Sequence, residues 1–160
     1  MVFSSQIFLF IFLPCTLLFY FIFPSKLKNI LLLLASLFFY AWGEPKYIFL
    51  ILTLILVNFV LGILIESSVQ KSIRKCFLLL TLVIDFGSLL YYKYFNFFIE
   101  NIDSLLHLSV PLRDIVLPLG ISFFIFQIVS YIVDVYWGNV KAQRNILNLA
   151  LYISLFPQLI

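Results

Sequence analysis

A stripe of polar side chains runs along the apolar segment Leu117–Tyr136, which is long enough to cross a bilayer. On an α-helix, residues spaced i, i+3, i+4 and i+7 share one face, and four residues of the segment have this spacing: Gln127, Ser130, Tyr131 and Asp134. An amide, hydroxyl or carboxylate that faces hydrocarbon without a partner costs about 1 to several kcal/mol. We therefore expect the stripe to face a helix bundle or a water-filled cavity, where it could contact a substrate.

Asp85 lies near the middle of another apolar segment, Cys76–Tyr92. An ionised carboxylate at such a depth costs about 2.5 to 3.5 kcal/mol, so we expect it to be protonated or hydrogen-bonded inside the bundle. Thr81 and Ser88 share its helical face, and Asn58 of the preceding apolar run could reach it. The pattern favours a polar cluster that packs helices together, and a proton relay or a substrate contact is the open alternative.

His107 is the only histidine in the chain, and histidine is the usual general base near neutral pH. It belongs to the segment Asn96–Leu108, whose apolar and polar residues separate onto opposite helical faces, as in a helix that lies flat in the membrane interface. Glu100 and Asp103 share the polar face and could orient the imidazole ring. A solvated histidine on that face is the simpler interpretation, so we assign no catalytic role to His107.

The composition indicates an integral membrane protein. Hydrophobic residues make up 64% of the 160 residues and charged residues only 11%, whereas a soluble domain has roughly 25% charged residues. Only two charged residues, Asp85 and Asp134, lie inside apolar runs. Cys15 and Cys76 show neither disulfide nor metal-ligand spacing, and no phosphate-binding loop or serine-elbow motif occurs. The sequence thus predicts a bilayer partner, with no metal site, no bound cofactor and no nucleic-acid partner.

The apolar runs predict an all-α fold, a bundle of about five to six transmembrane helices plus the interfacial amphipathic helix. The predicted spans are Phe3–Phe23, Ile30–Trp42, Tyr47–Ile65, Cys76–Tyr92, Val116–Trp137 and a last one that starts near Ile146. The second is short, because only 15 residues separate Lys28 from Glu44 and a span needs about 20. It either crosses with the help of snorkelling lysines or a thinned bilayer, or it re-enters the same side.

The basic residues predict the orientation of the protein, provided that the second run crosses. Seven of the ten lysines and arginines then lie in loops on one side: Lys26, Lys28, Lys71, Arg74, Lys75, Lys141 and Arg144. By the positive-inside rule this side is cytoplasmic and the N-terminus is outside. The N-terminal run lacks the basic region and cleavage site of a signal peptide, so we interpret it as a retained helix. We expect a multi-pass protein of the cell membrane.

Four segments resemble a known family when they are taken in order: Phe39–Tyr47 (FYAWGEPKY), Tyr91–Phe98 (YYKYFNFF), Leu117–Tyr136 and Ser154–Ile160 (SLFPQLI). Together they resemble the N-terminal part of the membrane-bound O-acyltransferase family, in its bacterial alginate O-acetyltransferase branch. The resemblance extends over almost the whole chain. It departs at Asp85, where the family pattern has asparagine, and at Trp137, where it often has arginine.

The resemblance implies a protein of several hundred residues in which many helices surround a tunnel. In that tunnel a buried histidine takes the proton of an acceptor hydroxyl while the acyl carbonyl is attacked. The branch implies O-acetylation of an exported cell-surface polysaccharide, with an acyl donor such as acetyl-CoA and with accessory cell-envelope proteins. Because the family histidine lies beyond the segment that resembles Ser154–Ile160, we expect no catalytic residue in this chain and no activity from the chain alone.

The last apolar run predicts an incomplete protein. From Asn145 to Ile160 there are 16 residues, about 24 Å of helix, less than the hydrocarbon core of about 30 Å. We interpret residues 1–160 as a single N-terminal fragment of an acyltransferase domain. In this run Pro157 frees the carbonyl of Ile153, and the amide of Gln158 could restore the lost hydrogen bond.

Six polar residues are candidates for tunnel-wall or helix-packing contacts: Asp85, Gln127, Ser130, Tyr131, Asp134 and Gln158. Two other functions stay open at this point. One is a small helical channel or transporter that uses the stripe and the intramembrane Asp85. The other is a non-catalytic, truncated membrane protein that acts only by packing against other helices.

Overall fold

A computed structural model describes residues 6–43, 45–106 and 120–155 of the chain. Within these ranges every regular element is helical and no strand is present, so the predicted all-α class is confirmed. In chain order the elements are a π-helical turn Phe8–Phe12, α1 Leu13–Ile22, α2 Ser25–Gly43, a 3-10 turn Pro45–Tyr47, α3 Ile48–Ser67, α4 Lys71–Leu106, α5 Ile121–Trp137 and α6 Ile146–Ser154.

α2 is longer than the second apolar run. It has 19 residues, about 28 Å of helix, which nearly equals the thickness of the hydrocarbon core of about 30 Å. The additional residues lie at its N-terminal end, where the carbonyl of Pro24 accepts a hydrogen bond of 2.9 Å from the N–H of Leu27. The apolar pattern misses this first turn because it contains polar residues such as Lys28.

α4 is a single helix of 36 residues, about 54 Å long. The sequence predicted two separate helices here, a span that ends near Tyr92 and an interfacial helix that starts near Asn96. The structure shows no break between them in the described residues up to Leu106. The stretch from 88 to 106 contains neither glycine nor proline, so nothing in its backbone chemistry ends the helix.

α3 and α5 form the centre of the bundle. The buried residues of α3 recur every three or four positions: Ile51, Leu54, Ile55, Asn58, Leu61, Gly62 and Ile65. Those of α5 follow the same rule: Ile121, Phe124, Ile125, Ile128, Tyr131, Ile132 and Val135. This periodicity gives each helix one buried face. The two helices pack against each other and against α4, while α6 packs on α2 and α3.

Successive helices from α2 to α6 alternate in direction, so the α1–α2, α3–α4 and α5–α6 connections meet at one end of the bundle, here called the basic end. There the beginnings of α2 and α6 meet, and Nδ2 of Asn29 donates a hydrogen bond of 3.3 Å to Oδ1 of Asn148. The last turn of α3 meets the α5–α6 connection through an ion pair of 2.6 Å between Glu66 and Arg144. The connections that carry most of the basic residues therefore share one end.

Aromatic contacts mark the opposite end. Tyr40, near the end of α2, packs edge-to-face on Phe124 in the first turn of α5, with ring centroids 5.4 Å apart. Tyr47, just before α3, packs in the same manner on Tyr92 of α4, at 5.5 Å. Because Asn29 lies at the basic end and Tyr40 at the other, α2 runs from one end of the bundle to the other.

Among the described residues, α3 is the helix that is both long enough and apolar enough to cross a bilayer, with a mean hydropathy of 3.0. Shorter apolar helices are Phe8–Ile22, Leu27–Trp42 and Ile121–Trp137. By length and composition, α3 is thus the candidate membrane span among the described residues.

Candidate functional site

Tyr131 connects three elements near the basic end. Its side chain is 8% exposed, and it passes α3 at Gly62, where the missing Cβ leaves room for it. Its hydroxyl accepts a hydrogen bond of 2.9 Å from the backbone N–H of Gln143, in the α5–α6 connection. A buried tyrosine ring requires a partner of this kind for its polar end. Tyr131 therefore fixes the connection against α3 and α5.

The α5–α6 connection is also held by local hydrogen bonds. α5 is followed by Gly138, which caps it with a φ of 81°, in the left-handed region that favours glycine. The N–H of the next residue, Asn139, bonds to the carbonyl of Asp134 at 3.0 Å. Further on, the side-chain oxygen of Gln143 accepts bonds of 3.0 and 3.2 Å from the next two backbone N–H groups. The connection is thus held by hydrogen bonds at Asn139 and around Gln143.

A cavity of about 260 Å³ lies between α5, α6 and this connection. Its wall combines a carboxylate, an ammonium group, two amides and two tyrosine rings: Asp134, Lys141, Gln143, Asn148, Tyr131 and Tyr152. The two rings are tilted against each other, with centroids 6.5 Å apart. Ligand pockets commonly combine aromatic walls with a few fixed polar groups in this way. The cavity can hydrogen-bond a small polar group while its rings contact apolar atoms.

The four residues of the α5 stripe have different environments. Tyr131 and Asp134 line the cavity. Gln127 is half-buried, and its Nε2 donates to the backbone carbonyl of Tyr152 in α6 at 2.5 Å. Ser130 is exposed. Gln127, Tyr131 and Asp134 therefore lie on the side of α5 that faces α6, whereas Ser130 does not, and the buried apolar residues of α5 fill the centre of the bundle.

Arg74, in the first turn of α4, covers the C-terminal end of α5. Its guanidinium donates to the backbone carbonyl of Tyr136 at 2.5 Å and lies over the ring of the same residue, 5.5 Å from its centroid. The last carbonyls of a helix lack partners inside the helix and carry partial negative charge. A cation at this place therefore hydrogen-bonds a free carbonyl and interacts favourably with the negative end of the helix dipole.

A second polar cluster lies at the interface of α3 and α4. The side-chain Nδ2 of Asn58 donates to Oδ1 of Asp85 at 2.8 Å, so the contact predicted from the sequence is present. The same nitrogen donates to the backbone carbonyl of Leu54 at 2.9 Å. Asn58 and Asp85 are both 0% exposed. The pair joins the two helices deep inside the protein.

The neighbours of Asp85 on α4 use their hydroxyl groups within the helix. Thr81 donates to the carbonyl of Phe77 at 2.8 Å, and Ser88 donates to the backbone carbonyl of Asp85 at 2.7 Å. Such bonds to the preceding turn are common for serine and threonine inside helices. The side-chain bond to the carboxyl group of Asp85 thus comes from α3 and not from its own helix.

Comparison with known proteins establishes what the chain resembles. No family model matches it. Over its whole length, in alignments of 165 positions, it is 38% identical to a probable alginate O-acetylase of Azotobacter vinelandii and 37% identical to one of Pseudomonas aeruginosa. It is 31% identical, over 189 positions, to a peptidoglycan O-acetyltransferase of Helicobacter pylori. Over its whole length the chain is thus similar to the N-terminal part of the alginate O-acetylases.

The resemblance to the alginate O-acetyltransferase branch is thereby confirmed. The chain spans about a third of the length of these homologues: 33% of the Azotobacter protein, 32% of the Pseudomonas protein and 36% of the Helicobacter protein. No solved structure matches the chain. Tyr131, Asp134 and Asp85 therefore lie in the region over which the chain aligns with these relatives.

Three residues that the sequence singled out lie outside the described residues: His107, Pro157 and Gln158. Within the described residues, no group of three or more His, Cys, Asp or Glu is placed to hold a metal ion. The candidate residues that the structure brings together are Tyr131 with Asp134 at the cavity, and Asp85 with Asn58.

Sequence reasoning missed three residues of the site: Gly62, Arg74 and Gln143. A lone glycine inside an apolar helix often marks close packing, so Gly62 carried a signal that could have been used. Arg74 contributed only to the prediction of orientation, because nothing in the sequence around it shows that its side chain contacts another helix. Gln143 acts through its backbone N–H, which has no sequence signal.

Proposed function

We propose that this chain is the N-terminal part of a membrane O-acetyltransferase that modifies an exported cell-surface polysaccharide. The observation that carries the proposal is the end-to-end similarity to alginate O-acetylases at 37 to 38% identity. The acyl donor is a compound such as acetyl-CoA, the acceptor is a polysaccharide hydroxyl, and accessory cell-envelope proteins take part. The residues supply a scaffold for acyl transfer, and the histidine base belongs to the family segment beyond the one that Ser154–Ile160 resembles.

We propose further that the chain crosses the cell membrane several times, with its N-terminus outside. The alternation of helix directions supports this, because it brings the basic connections to one end, as the positive-inside rule requires of cytoplasmic loops. The outer surface supports it as well: Phe10 and Phe21 are each 76% exposed and Phe49 is 73% exposed. Large apolar side chains on the outside suit lipid and would be unfavourable in water.

The candidate residues have two roles in this proposal. Tyr131 and Asp134 form part of a polar cavity at the cytoplasmic end, and Asp85 holds α3 against α4. A channel that conducts through Asp85 has less support, because a conducting carboxylate must contact water and Asp85 is 0% exposed.

A chimera tests the proposed activity. Residues 1–160 replace the corresponding N-terminal third of an alginate O-acetylase in a cell that lacks the native enzyme, and the acetate content of the exported alginate is measured. We expect acetylation from the chimera, none from the remaining two-thirds alone, and none from residues 1–160 alone. A chimera that reaches the membrane in normal amounts and leaves the alginate unacetylated would contradict the proposal, and so would transfer by residues 1–160 alone.

Cysteine labelling tests the topology separately. In a chain with Cys15→Ser and Cys76→Ser, single cysteines are introduced at Ser68, Asn139 or Asn101 and treated with a membrane-impermeant maleimide. We expect positions 68 and 139 to react from the cytoplasmic side and position 101 from the outside, since Asn101 lies about 45 Å along α4 from Lys71. Labelling of 68 and 139 from opposite sides would exclude the proposed arrangement.

A further inference from the structure

Two oxygen atoms in the Asn58–Asp85 pair are buried and receive no hydrogen bond from the part of the chain that the structure describes: Oδ1 of Asn58 and Oδ2 of Asp85. They belong to the two groups that share the bond of 2.8 Å between Nδ2 and Oδ1. A buried acceptor without a donor costs about 1 to 3 kcal/mol, and more when it is charged. Two such atoms on one bonded pair therefore call for a common explanation.

Reversing the amide of Asn58 does not supply the missing donor. In its present orientation Nδ2 uses both of its hydrogens, one toward Asp85 and one toward the carbonyl of Leu54 at 2.9 Å. The reversed amide would place an oxygen against that carbonyl oxygen and against the carboxyl group. The orientation of Asn58 is thus fixed by its two acceptors, and the pair contains no further hydrogen to donate.

Among the described residues, the surroundings supply neither a donor nor an opposite charge. The hydroxyls of Thr81 and Ser88 are directed to backbone carbonyls. The ion pair of the described residues joins Arg144 to Glu66 and does not involve Asp85. An ionised carboxylate at 0% exposure would have one neutral hydrogen bond to offset the loss of its hydration, which is far too little.

We propose that Asp85 is protonated on Oδ2 and donates this proton to Oδ1 of Asn58, so that carboxyl and amide form a cyclic pair with two hydrogen bonds. A single hydrogen then satisfies both oxygens and removes the buried charge. The pair is a neutral clamp between α3 and α4. It does not depend on acyl transfer, and it holds whether or not the proposed enzymatic function is correct.

The neutral clamp predicts different effects for two substitutions at position 85. An asparagine there can accept from Nδ2 of Asn58 with its oxygen and donate to Oδ1 of Asn58 with its own amide, so Asp85→Asn keeps both bonds without a titratable proton. Asp85→Leu removes both, so that Asn58 keeps only its bond to the carbonyl of Leu54 and its oxygen and one N–H are left unpaired. We therefore expect Asp85→Asn to unfold at nearly the temperature of the parent chain and Asp85→Leu to unfold at a clearly lower one.

Infrared spectroscopy of the full chain in lipid bilayers at neutral pH tests the proton itself. A protonated carboxyl has a C=O stretching band that is separate from the bands of a carboxylate and moves to lower frequency in D₂O. We expect such a band in the parent chain, its loss in Asp85→Asn, and its shift to higher frequency in Asn58→Leu, where the hydrogen bonds are gone. Asp134→Asn is the matched control, because this exchange removes a partly exposed carboxyl from the same protein and leaves the band unchanged.

Two outcomes would overturn the proposal. One is a difference spectrum between parent and Asp85→Asn that contains only carboxylate bands, which means that Asp85 is ionised. The other is a carboxyl band that disappears when sodium or potassium is added, which means that a cation takes the place assigned to the proton.

Discussion

The hydroxyl oxygen of Tyr131 lies 3.3 Å from the point where a Cβ at Gly62 would stand. This is closer than ordinary van der Waals contact, so the ring and its bond to Gln143 depend on a glycine in α3. Gly62, inside the apolar helix α3, thereby determines the position of the α5–α6 connection and of the cavity wall that this connection forms.

Replacing Gly62 by alanine tests this dependence. Alanine in a helix is favoured over glycine by about 0.5 to 1 kcal/mol, but at position 62 the steric contact with Tyr131 offsets the gain. Gly87 in α4 is the matched control, because a Cβ there meets nothing within 4 Å. We expect Gly87→Ala to raise the free energy of unfolding in detergent and Gly62→Ala to fall about 1 kcal/mol below it. Equal stabilisation by both variants would show that the contact is unimportant.

Tyr131→Phe should loosen the connection without changing the packing of the ring. The exchange removes the acceptor of the Gln143 N–H, which costs about 1 to 2 kcal/mol when the group is partly buried. Hydrogen exchange at the amide of Gln143 should become faster, and the thermal midpoint should fall. Tyr152→Phe is the control, because Tyr152 is exposed and we expect a small effect. Unchanged exchange at Gln143 in Tyr131→Phe would contradict the assignment.

Arg74→Ala should destabilise the end of α5. The variant removes a charged donor from the carbonyl of Tyr136, a bond of a kind worth about 1.5 to 3 kcal/mol, and removes the cation above its ring. Arg74→Lys should recover part of the loss, because it keeps the charge but not the planar guanidinium. The measurement is the unfolding temperature, compared with that of Lys75→Ala, an exposed neighbour in the same turn. An equal loss in Lys75→Ala would indicate a general effect of charge at this end.

The ion pair between Glu66 and Arg144 should contribute little to stability. Its N···O distance is 2.6 Å, but the arginine side chain is 64% exposed, and exposed pairs contribute about 0.2 to 1 kcal/mol. A double-mutant cycle with Glu66→Gln and Arg144→Gln should give a coupling energy in this range that decreases with added salt. A coupling energy of several kcal/mol that does not change with salt concentration would mean that the pair is far more shielded from water than its exposure indicates.

The all-α class, most of the helices and the Asn58–Asp85 contact could be predicted from the sequence, because they follow from apolar run lengths and helical periodicity. The contact could be predicted because a carboxylate inside an apolar run needs a polar partner, and the neighbouring run contains few polar residues. The family followed from four ordered segments. These are strong local signals, and each of them can be seen within a few turns of helix.

The details of the cavity could not be predicted, because they depend on side chains meeting across the fold. Ser130 has the same spacing as Tyr131 and Asp134, yet it is exposed, since the position of α6 and not the spacing decides which side of α5 is covered. The single long α4 was missed for a different reason. A change from apolar to amphipathic pattern indicates a change of environment along a helix, and it does not indicate a break in its backbone.

For the proposed multi-pass protein, an unbroken α4 has a consequence in bilayers of different thickness. A chain with a hinge near residue 92 could bend there and leave the rest of the bundle undisturbed. A rigid helix of about 54 Å that packs on both α3 and α5 has no such freedom. If α4 crosses the membrane as proposed, a thinner bilayer requires it to tilt together with the helices that pack on it. We therefore expect lipid chain length to change the inclination of the whole bundle and to leave its internal contacts, including the clamp at Asp85, intact.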